Sequence, residues 1–458
     1  MAKKRLLIVA PEFPPKKGIG RIRPLKFAKH LSKFGWKSVV LTVKINKFLP
    51  IDIRLLEEIP IHVKVYRTSL PRIIDSFIDI TKKIVSGNIY QKKNDNSREG
   101  VPATRSQRLS KLQRLSLITQ YVKKFSYKYL LIPDDAILWV PGAYYRAVNI
   151  FKKKISAVFT TAPPFSSFLV GYLLKIKHNI PWVCDYRDLW TDDVLREWVP
   201  SYRKIFEKWL EKKIVSKADA IISVSEKKVE FLKQFHSSVS KDKFYYIPNG
   251  YDEDEYQHLR EYRCTASKEL KFVYTGRLFK NRNPYLLLKA LYEIKKENPS
   301  LLDNVIFEFY GHIEPIQQDK ITQLINKYFL QKYFKFVEYI PYEESKKKQI
   351  QADILLLIVD TGRTSEGVLP GKLFEYIAAQ RPILGIMPKG DASNIIENGK
   401  LGWWVESHDL QGLCQTLKEI IQLHKNNQLN FSPNLAFIQK FDRVKLTEKL
   451  AQILDTLV

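Results

Sequence analysis

The sequence contains little cysteine, and its cysteines lie far apart. Cys184, Cys264 and Cys414 are the only three in 458 residues, so neither a zinc-binding pattern nor a disulfide framework is predicted. The eight histidines also lack the spacing of a metal site or a catalytic triad. We therefore expect a cytoplasmic protein that uses no metal ion.

The sequence also lacks a long apolar run. No stretch of about 18 apolar residues is free of charge, so no transmembrane helix is predicted. After the basic N-terminal residues, the apolar run of residues 6–10 is too short for the core of a signal peptide. Membrane contact is then expected to be peripheral, at the inner face of the cell membrane.

Acidic residues are scarce relative to basic ones. The 76 lysines and arginines exceed the 48 aspartates and glutamates, which gives a net charge of +28. Such a field favours anionic partners, namely phosphorylated substrates, acidic lipid surfaces or nucleic acid. Because no nucleic-acid-binding motif is recognisable, nucleic acid is not expected as a partner.

Part of the positive charge is concentrated in residues 98–128, where eight basic residues accompany one acid, Glu99. Apolar residues recur there at helical spacing, which predicts a basic amphipathic helix in an insert of about residues 98–130. In one interpretation the helix lies on an anionic membrane, where each basic residue contributes about 1 kcal/mol. In the other, it packs on the core and leaves a solvated basic face.

The length of the chain favours two domains. Apolar strands alternate with helical patterns in both halves, which predicts an α/β protein with doubly wound sheets. We predict an N-terminal domain of residues 1–250, a C-terminal domain of residues 251–435 and a final helical segment of residues 436–458 that packs back on the first domain. The predicted strands are residues 5–10, 38–43, 157–161, 182–185 and 220–224 in the first half, and 271–275, 305–310, 334–339, 354–358 and 382–386 in the second.

Residues 364–386 form a predicted loop, short helix and strand. Lys372 and Glu375 then lie at or near the helix N-terminus, where free N–H groups and the helix dipole attract phosphates. A carboxylate one turn into such a helix can accept hydrogen bonds from vicinal hydroxyls. The pattern indicates a nucleotide site, although a loop, helix and strand of this kind is also ordinary in α/β domains.

A second cationic turn follows the first strand of the C-terminal half. The strand ends at Gly276 and Arg277, and Lys280 and Arg282 precede a helix that begins at Pro284. Arginine can bind a diphosphate bidentately, so Arg282 is our first candidate for that role. A solvent-facing basic turn is the alternative, but Arg282 and Lys372 both precede helices of one predicted sheet and are expected to converge.

Polar residues follow the strands of the N-terminal half as well. Gly18 and Gly20 come after the first strand, where ligands of doubly wound sheets bind. Asp185, Arg187 and Asp188 place two carboxylates around a guanidinium, which suits hydroxyl recognition or proton transfer. For Asp185 and Arg187, an internal salt bridge is the favoured alternative.

Five segments in order cover nearly the whole chain: PPKKGIGRIRPLKFAKHL, PWVCDYRDLW, YIPNGYD, FVYTGRLFKNRNP and GKLFEYIAAQRPILGI. Together they resemble retaining glycosyltransferase family 4, which has the GT-B fold, and DYRDLW resembles a bacterial branch associated with surface polysaccharide assembly. The resemblance implies two Rossmann-like domains facing a cleft, with a nucleotide sugar on the second and a glycan or lipid-linked acceptor on the first. It also implies a C-terminal helix that crosses back.

The resemblance also assigns roles. Glu375 matches the second glutamate of the family's paired motif, which binds the donor ribose, while the first falls at Gly367, so Glu366 or the N–H groups of Gly367 and Val368 are expected to replace it. Asp188 lies near the position of the family's cleft histidine. The predicted site residues are Arg282, Lys372 and Asp188 for catalysis; Gly18, Gly20, Gly276, Arg277, Glu366, Gly367, Val368 and Glu375 for donor binding; and Arg21, Asp185 and Arg187 on the acceptor side.

These roles predict metal-independent and cofactor-free transfer, because Arg282, Lys372 and helix N-termini stabilise the departing diphosphate. With no evident nucleophile, retention is expected to proceed by front-face attack, in which the leaving phosphate takes the acceptor proton. Two other functions remain open. One is a GT-B nucleotide-sugar epimerase, and the other is a basic protein that binds membrane or nucleic acid and keeps a vestigial sugar cleft.

Overall fold

The computed structural model describes residues 4–45, 49–71, 121, 124–152, 154–193, 196, 198–263, 268–362 and 364–458. Most of the predicted basic insert of residues 98–130 lies outside these ranges. Among the helices inside them, none has the length and hydropathy that crossing a bilayer requires.

The first domain is built on a parallel sheet of seven strands in the order β3-β2-β1-β4-β5-β6-β7. Its central strands are buried over most of their length, as in LLIV of β1 and AVFTTA of β4, because helices cover both faces of the sheet. The strands are β1 (Lys4–Val9), β2 (Trp36–Val43), β3 (Lys64–Thr68), β4 (Ala157–Ala162), β5 (Trp182–Tyr186), β6 (Ala220–Ser223) and β7 (Phe244–Tyr246).

The second domain has a six-stranded parallel sheet in the order β10-β9-β8-β11-β12-β13. Its strands are β8 (Leu270–Thr275), β9 (Val305–Tyr310), β10 (Phe334–Val337), β11 (Ile354–Ile358), β12 (Ile383–Ile386) and β13 (Gly402–Val405). Two apolar clusters lie on opposite faces of this sheet. The predicted α/β class with two doubly wound, Rossmann-like domains is confirmed.

Helices cover both faces of each sheet. Within the described ranges they are α1 (Ile22–His30), α2 (Val140–Phe151), α3 (Ser166–His178), α4 (Ser201–Lys217), α5 (Glu226–Phe235), α6 (Asp254–Gln257), α7 (Tyr285–Glu297), α8 (Pro315–Lys327), α9 (Tyr342–Gln351), α10 (Gly371–Ala379), α11 (Asp391–Asn398), α12 (Leu410–Lys425), α13 (Leu435–Ile438) and α14 (Arg443–Leu457). The edge strands β3, β7 and β13 were not predicted: they have three to five residues each and are only partly buried.

The final helix, α14, returns to the first domain as expected. Its Leu450 and Leu454 belong to the apolar cluster that contains Leu6 and Ile8 of β1. At its C-terminal end, Asp455 accepts a hydrogen bond from the indole N–H of Trp36 at 3.0 Å. The chain therefore passes twice between the domains, once after β7 and once before α14.

Buried charges hold this double crossing in place. The Arg23 guanidinium donates to both carboxylate oxygens of Asp185 and to the carbonyls of Ile247 and Pro248, where the chain leaves the first domain. Lys26, on the same helix, pairs with Asp252 just after the crossing. Helix α1 thus fixes the start of the connection between the domains.

Glu211 on α4 gives a testable pH effect on stability. Its carboxylate is buried and accepts a hydrogen bond from the Thr191 hydroxyl at 2.6 Å, and burial raises its pKa from 4.5 to about 7. The folded state therefore holds this proton more tightly than the unfolded chain, and stability falls as the pH rises from about 4.5 through 7. Glu211→Gln should raise the free energy of unfolding by up to about 3 kcal/mol at pH 8 and by little at pH 4.

Urea unfolding at both pH values measures this effect, and Glu448→Gln, at an exposed position of α14, is the matched control. An unchanged pH slope in Glu211→Gln would show that the buried carboxyl has an ordinary pKa.

Candidate active site

The predicted donor residues of the second domain gather at the carboxyl ends of its central strands. Strands β8 and β11 are neighbours although they are far apart in sequence, so the sheet reverses its winding direction between them. Ligands of doubly wound sheets bind outside the carboxyl ends of the strands at such a point. Gly276 follows β8 there, and Asp360 lies two residues after the end of β11.

Lys372 lies directly over Gly276. The backbone of Gly276 has a φ of +129°, and a Cβ at this position would collide with Cε and Nζ of Lys372. The ammonium group donates to the Tyr274 hydroxyl at 2.9 Å and lies 4.0 Å from the centre of its ring. Glycine is needed here for both its conformation and the close approach of the lysine.

Arg282 reaches the same place from the loop before α7. Its Nε and Nη2 donate to the two carboxylate oxygens of Asp360 at 3.2 and 2.5 Å, so one bidentate ion pair joins the loops that follow β8 and β11. Burial opposes the charge of Arg282, but Tyr274 and Asp360 outweigh burial and raise its pKa. The guanidinium therefore remains positive beside Lys372.

Lys372 is held in an environment that disfavours its charge. Burial lowers its pKa well below the ordinary lysine value, and the neighbouring Arg282 lowers it further. The carboxylates of Glu375 and Asp360 act in the opposite direction but do not offset these two effects. The site therefore favours a ligand that brings further negative charge to Lys372.

Glu375 lies one turn into α10, behind the two cations. Its carboxylate accepts a hydrogen bond from the Gln349 amide at 3.1 Å and lies 3.5 Å from the Tyr342 hydroxyl. Burial raises its pKa. Helix α10 begins after Pro370, which has no side-chain acceptor for the N–H groups of the first turn, so the positive end of its dipole is available to an anion.

Glu366 and Arg277 border the site from the exposed side. Both side chains are exposed. Glu366 lines a cavity of about 600 Å³ along the carboxyl ends of the strands, together with Lys227, Thr361, Lys389, Asn394 and His408. A second cavity of about 310 Å³ shares Thr361 with it. The larger volume falls within the range of small-molecule sites.

The proposed role of the N–H groups of Gly367 and Val368 is wrong. These groups donate to the carbonyls of Thr364 and Ser365 within their own turn, so they are already occupied. Gly367 instead packs against the first domain, because a Cβ at this position would lie 3.2 Å from the Ser225 hydroxyl oxygen. A glutamate at this position would meet the start of α5, which explains its absence.

In the first domain, Arg187 supports the glycine loop and does not face an acceptor. Its guanidinium donates to the carbonyls of Gly20 and Pro163 and lies 3.2 Å from the Glu12 carboxylate. A Cβ at Gly20 would collide with both Glu12 and Arg187. Gly18 is exposed, with a φ of +115°, and a Cβ added there would meet no atom within 4 Å, so it leaves open space at the cleft.

Asp185 must also be reassigned. Its side chain is fully buried, and its oxygens accept from Arg23 and from the Thr161 hydroxyl at 2.6 Å. The internal salt bridge that the sequence favoured exists, but its partner is Arg23 instead of Arg187. Asp185 therefore offers no free group to an acceptor. Arg21 is also buried and pairs with Glu58 at 2.5 Å through Nη1, but its Nε has no hydrogen-bond partner among the described residues, so its role on the acceptor side stays a prediction.

Asp188 is a predicted site residue of the first domain whose charged group stays accessible, because its side chain is 47% exposed. It accepts a hydrogen bond from Lys228 at 3.1 Å, and Lys228 also approaches Gly367 of the second domain. Next to it, the backbone N–H of Lys227 donates to Asp391 at 2.9 Å. Helix α5 thus brings Asp188 to the loop that precedes α10.

Several residues of the site were not predicted. Tyr274 and Asp360 lie at or just after the ends of apolar strands, and this position could have identified them. Gln349 and Tyr342 are on α9, and the sequence gives no sign that this helix packs beside α10. Lys228 was missed because its role depends on contact between the two domains.

The chain resembles known proteins along most of its length. The family model described as Glycosyl transferases group 1 matches residues 259–434, and that described as Glycosyltransferase Family 4 matches residues 108–255. The Salmonella typhimurium protein WcaL, named as a colanic acid biosynthesis glycosyltransferase, is 22% identical over 293 residues. This match covers 63% of the chain and 65% of WcaL, so the chain spans less than two thirds of that relative's length.

Solved structures share the architecture over nearly the whole chain. Sucrose-phosphate synthase from Thermosynechococcus elongatus is 16% identical, with a TM-score of 0.64 and 99% of each chain covered. Anabaena HepE in complex with UDP is 14% identical, with a TM-score of 0.62, and covers 99% of this chain and 100% of its own. The two Rossmann-like sheets and the likeness to these structures over nearly the whole chain show the GT-B fold, and each half of the chain matches a glycosyltransferase family model.

Proposed function

We propose that the protein transfers a sugar from a nucleotide-sugar donor to a glycan or lipid-linked acceptor, with retention of configuration, in cell-surface polysaccharide biosynthesis. The observation that carries the proposal is the convergence of two cations at the N-terminal end of α10: Lys372 lies over Gly276, and Arg282, paired with Asp360, acts on it from the neighbouring loop. Mutual repulsion and burial prepare these cations for a diphosphate. The similarity to WcaL supports the polysaccharide role.

The donor would lie along the carboxyl ends of β8 and β11. Its diphosphate would contact Lys372 and Arg282, and the ribose hydroxyls would donate to Glu375, which is one turn further into α10. The cavity beside Glu366 would receive the rest of the nucleotide sugar. Structures of HepE contain UDP and UDP-glucose, which supports a uridine nucleotide as the first donor to test.

Catalysis would rest on charge stabilisation at the leaving group. As the glycosidic bond breaks, negative charge grows on the diphosphate, and preformed cations in a buried site stabilise it without reorganisation. The acceptor would approach from the first domain, between Gly18 and Asp188. We propose that transfer needs no metal ion and that the leaving phosphate takes the acceptor proton, which accounts for retention by front-face attack.

The acceptor and the location complete the proposal. A lipid-linked acceptor requires contact with the inner face of the cell membrane, and the positive net charge of +28 favours an anionic leaflet. The predicted contribution of the basic insert of residues 98–130 stays a prediction, since most of it lies outside the described residues.

A thermal-shift screen of nucleotides and nucleotide sugars tests the function. A ligand that binds only the folded state raises the melting temperature, so UDP and one or more UDP sugars should raise it, whereas uridine without phosphates should not. Lys372→Met should abolish the shift. Lys449→Met, at an exposed position of α14, should leave the shift unchanged.

The reaction products separate the proposed activity from its alternative. With the donor that binds, glycoside formation should depend on an added acceptor and should keep the anomeric configuration of the donor sugar. An epimerised nucleotide sugar formed without any acceptor would overturn the proposal, and so would the absence of a shift with every nucleoside diphosphate.

A further inference from the structure

Helix α4 exposes apolar side chains and buries charged ones, the reverse of an ordinary surface helix. Arg203, Glu207 and Glu211 are at most 3% exposed. They are held by an internal network in which Arg203 donates to Glu207 and to the carbonyl of Pro133. The outward face instead carries large apolar residues: Tyr202 is 54% exposed, Ile205 71%, Phe206 48% and Trp209 54%.

These four residues form one continuous stripe. Their spacing of three, four and seven residues places them on the same face of the helix over two turns. Scattered exposed apolar residues are common on soluble proteins, but a contiguous aromatic patch marks an interaction site. We call Tyr202, Ile205, Phe206 and Trp209 the α4 stripe.

The stripe continues onto the chain segment that precedes α2. Tyr129 stacks on Tyr202 with ring centres 6.4 Å apart, and Phe125 lies 4.7 Å from Tyr129. Leu130 is 66% exposed and Trp198 is 50% exposed. Two segments that are distant in sequence therefore contribute to one apolar surface.

The exposed charges on α4 itself have one sign. Because Glu207 and Glu211 point inward, the exposed charged residues of this helix are lysines, at positions 208, 212, 213 and 217, of which Lys208 pairs with Asp192 at 3.3 Å. Lys213 extends over the Trp209 ring, with its ammonium group 6.0 Å from the ring centre. Lysine stems that cover apolar surface while their heads stay in water are suited to a boundary between an apolar and an anionic phase.

We propose that the α4 stripe docks the protein onto the surface of an anionic membrane. Tryptophan and tyrosine favour the headgroup level, where one end of the side chain is apolar and the other is wet. Bulky apolar residues enter the acyl boundary, while lysines contact anionic lipids. A second copy of the chain fits less well, because a two-fold contact through this face would set lysines against lysines.

The position of α4 gives this docking a consequence for the enzyme. The loop that leads into α4 begins at the carboxyl end of β5, which carries Asp188 at the cleft. A membrane on the α4 stripe would therefore lie beside the entrance to the acceptor side. The inference deepens the proposed function by naming the docking surface, and its consequence for the acceptor rests on that function, whereas the docking itself is tested separately from the donor site.

Vesicle binding by the full chain tests the docking surface. Sedimentation should show binding to vesicles of phosphatidylethanolamine and phosphatidylglycerol at 3:1, and much weaker binding to phosphatidylcholine. The double variant Ile205→Ser with Trp209→Ser should bind the anionic vesicles at least tenfold more weakly. The matched control, Ile316→Ser with Phe329→Ser, changes two similarly exposed apolar residues of the second domain and should bind as the wild type does.

A second pair of variants tests the lysines. Lys212→Glu with Lys213→Glu should weaken binding to the anionic vesicles at least tenfold, whereas Lys320→Glu with Lys327→Glu, which changes the net charge equally on α8, should not. The thermal shift with UDP measures folding and donor binding, whereas vesicle sedimentation measures docking. Normal vesicle binding by the stripe variant would overturn the inference, as would a wild-type dimer that this variant converts to a monomer.

Discussion

Replacing Lys372 by methionine is expected to lower turnover of the nucleotide sugar about 100- to 1,000-fold, the usual loss when one preorganised donor to a developing anion is removed. The structure also predicts that the fold is unharmed. Methionine has nearly the same length as lysine and fills the space over Gly276. It also removes a buried ammonium group whose pKa is lowered by burial and by Arg282. The variant should therefore melt at the wild-type temperature or higher while turnover is lost.

Proton uptake distinguishes a direct role of Lys372 from an indirect one. An incoming diphosphate would add negative charge to that of Asp360 and Glu375, which raises the lysine pKa on binding. Over the pH range between the free and bound pKa values, UDP binding should take up a proton, and affinity should fall as the pH rises from the free value to the bound value. Calorimetry in buffers of different ionisation enthalpy measures this uptake, which Lys372→Met should abolish.

Arg282 is the less suitable residue for this experiment. Arg282→Ala should also slow turnover, but it leaves the Asp360 carboxylate buried without its partner, and the resulting instability would confuse the interpretation. Wild-type turnover in Lys372→Met would contradict the assigned site directly. If Lys372→Met showed both wild-type turnover and normal proton uptake, the diphosphate would have to bind elsewhere.

The sequence predicted the central parts of the fold because they depend on local pattern. Buried strands such as β1 and β11 are short apolar runs bounded by polar loops, and the helix of residues 443–457 keeps its period throughout. The edge strand β3 was not predicted because it is only partly buried along its length and just two of its five residues are apolar. The edge strand β10 was predicted because it carries two phenylalanines and a valine in four residues. Local pattern thus identifies strands rich in apolar residues and misses polar ones.

The site was predictable only where a residue's role follows from its place after a strand or before a helix. Lys372, Arg282 and Glu375 meet that condition, and the structure brings them together. Arg187 and Asp185 also follow a strand, yet they face inward, because their partners Gly20 and Arg23 come from α1 and the loop before it. Pairings between segments more than 150 residues apart are set by packing, which a single sequence does not display.

Asp185→Ala is expected to destabilise the protein by about 3–5 kcal/mol, the cost of leaving one charge of a buried pair without its partner. Arg23 is only 3% exposed and Asp185 is fully buried, so water does not replace the lost carboxylate. The effect should extend to the connection between the domains, since the same guanidinium donates to the carbonyls of Ile247 and Pro248. Urea unfolding measures the loss.

Two controls separate this buried pair from an ordinary ion pair. Glu293→Ala, which breaks a pair with Lys296 whose members are 42% and 59% exposed, should cost less than about 1 kcal/mol. Adding Arg23→Met to Asp185→Ala should recover a large part of the lost stability, because the uncompensated charge is then removed.

The opposite pattern would restore the role that the sequence suggested for Asp185. If Asp185→Ala unfolded at the wild-type urea concentration but lost turnover, the carboxylate would have to reach the acceptor in the working enzyme. A conformational change that opens the Arg23 pair would then be required, and the two hydrogen bonds from Arg23 to the domain connection make that change costly. If Arg23→Met largely reverses the loss of stability, Asp185 has a structural role. Its ion pair with Arg23 then holds the connection between the two domains and so positions the cleft.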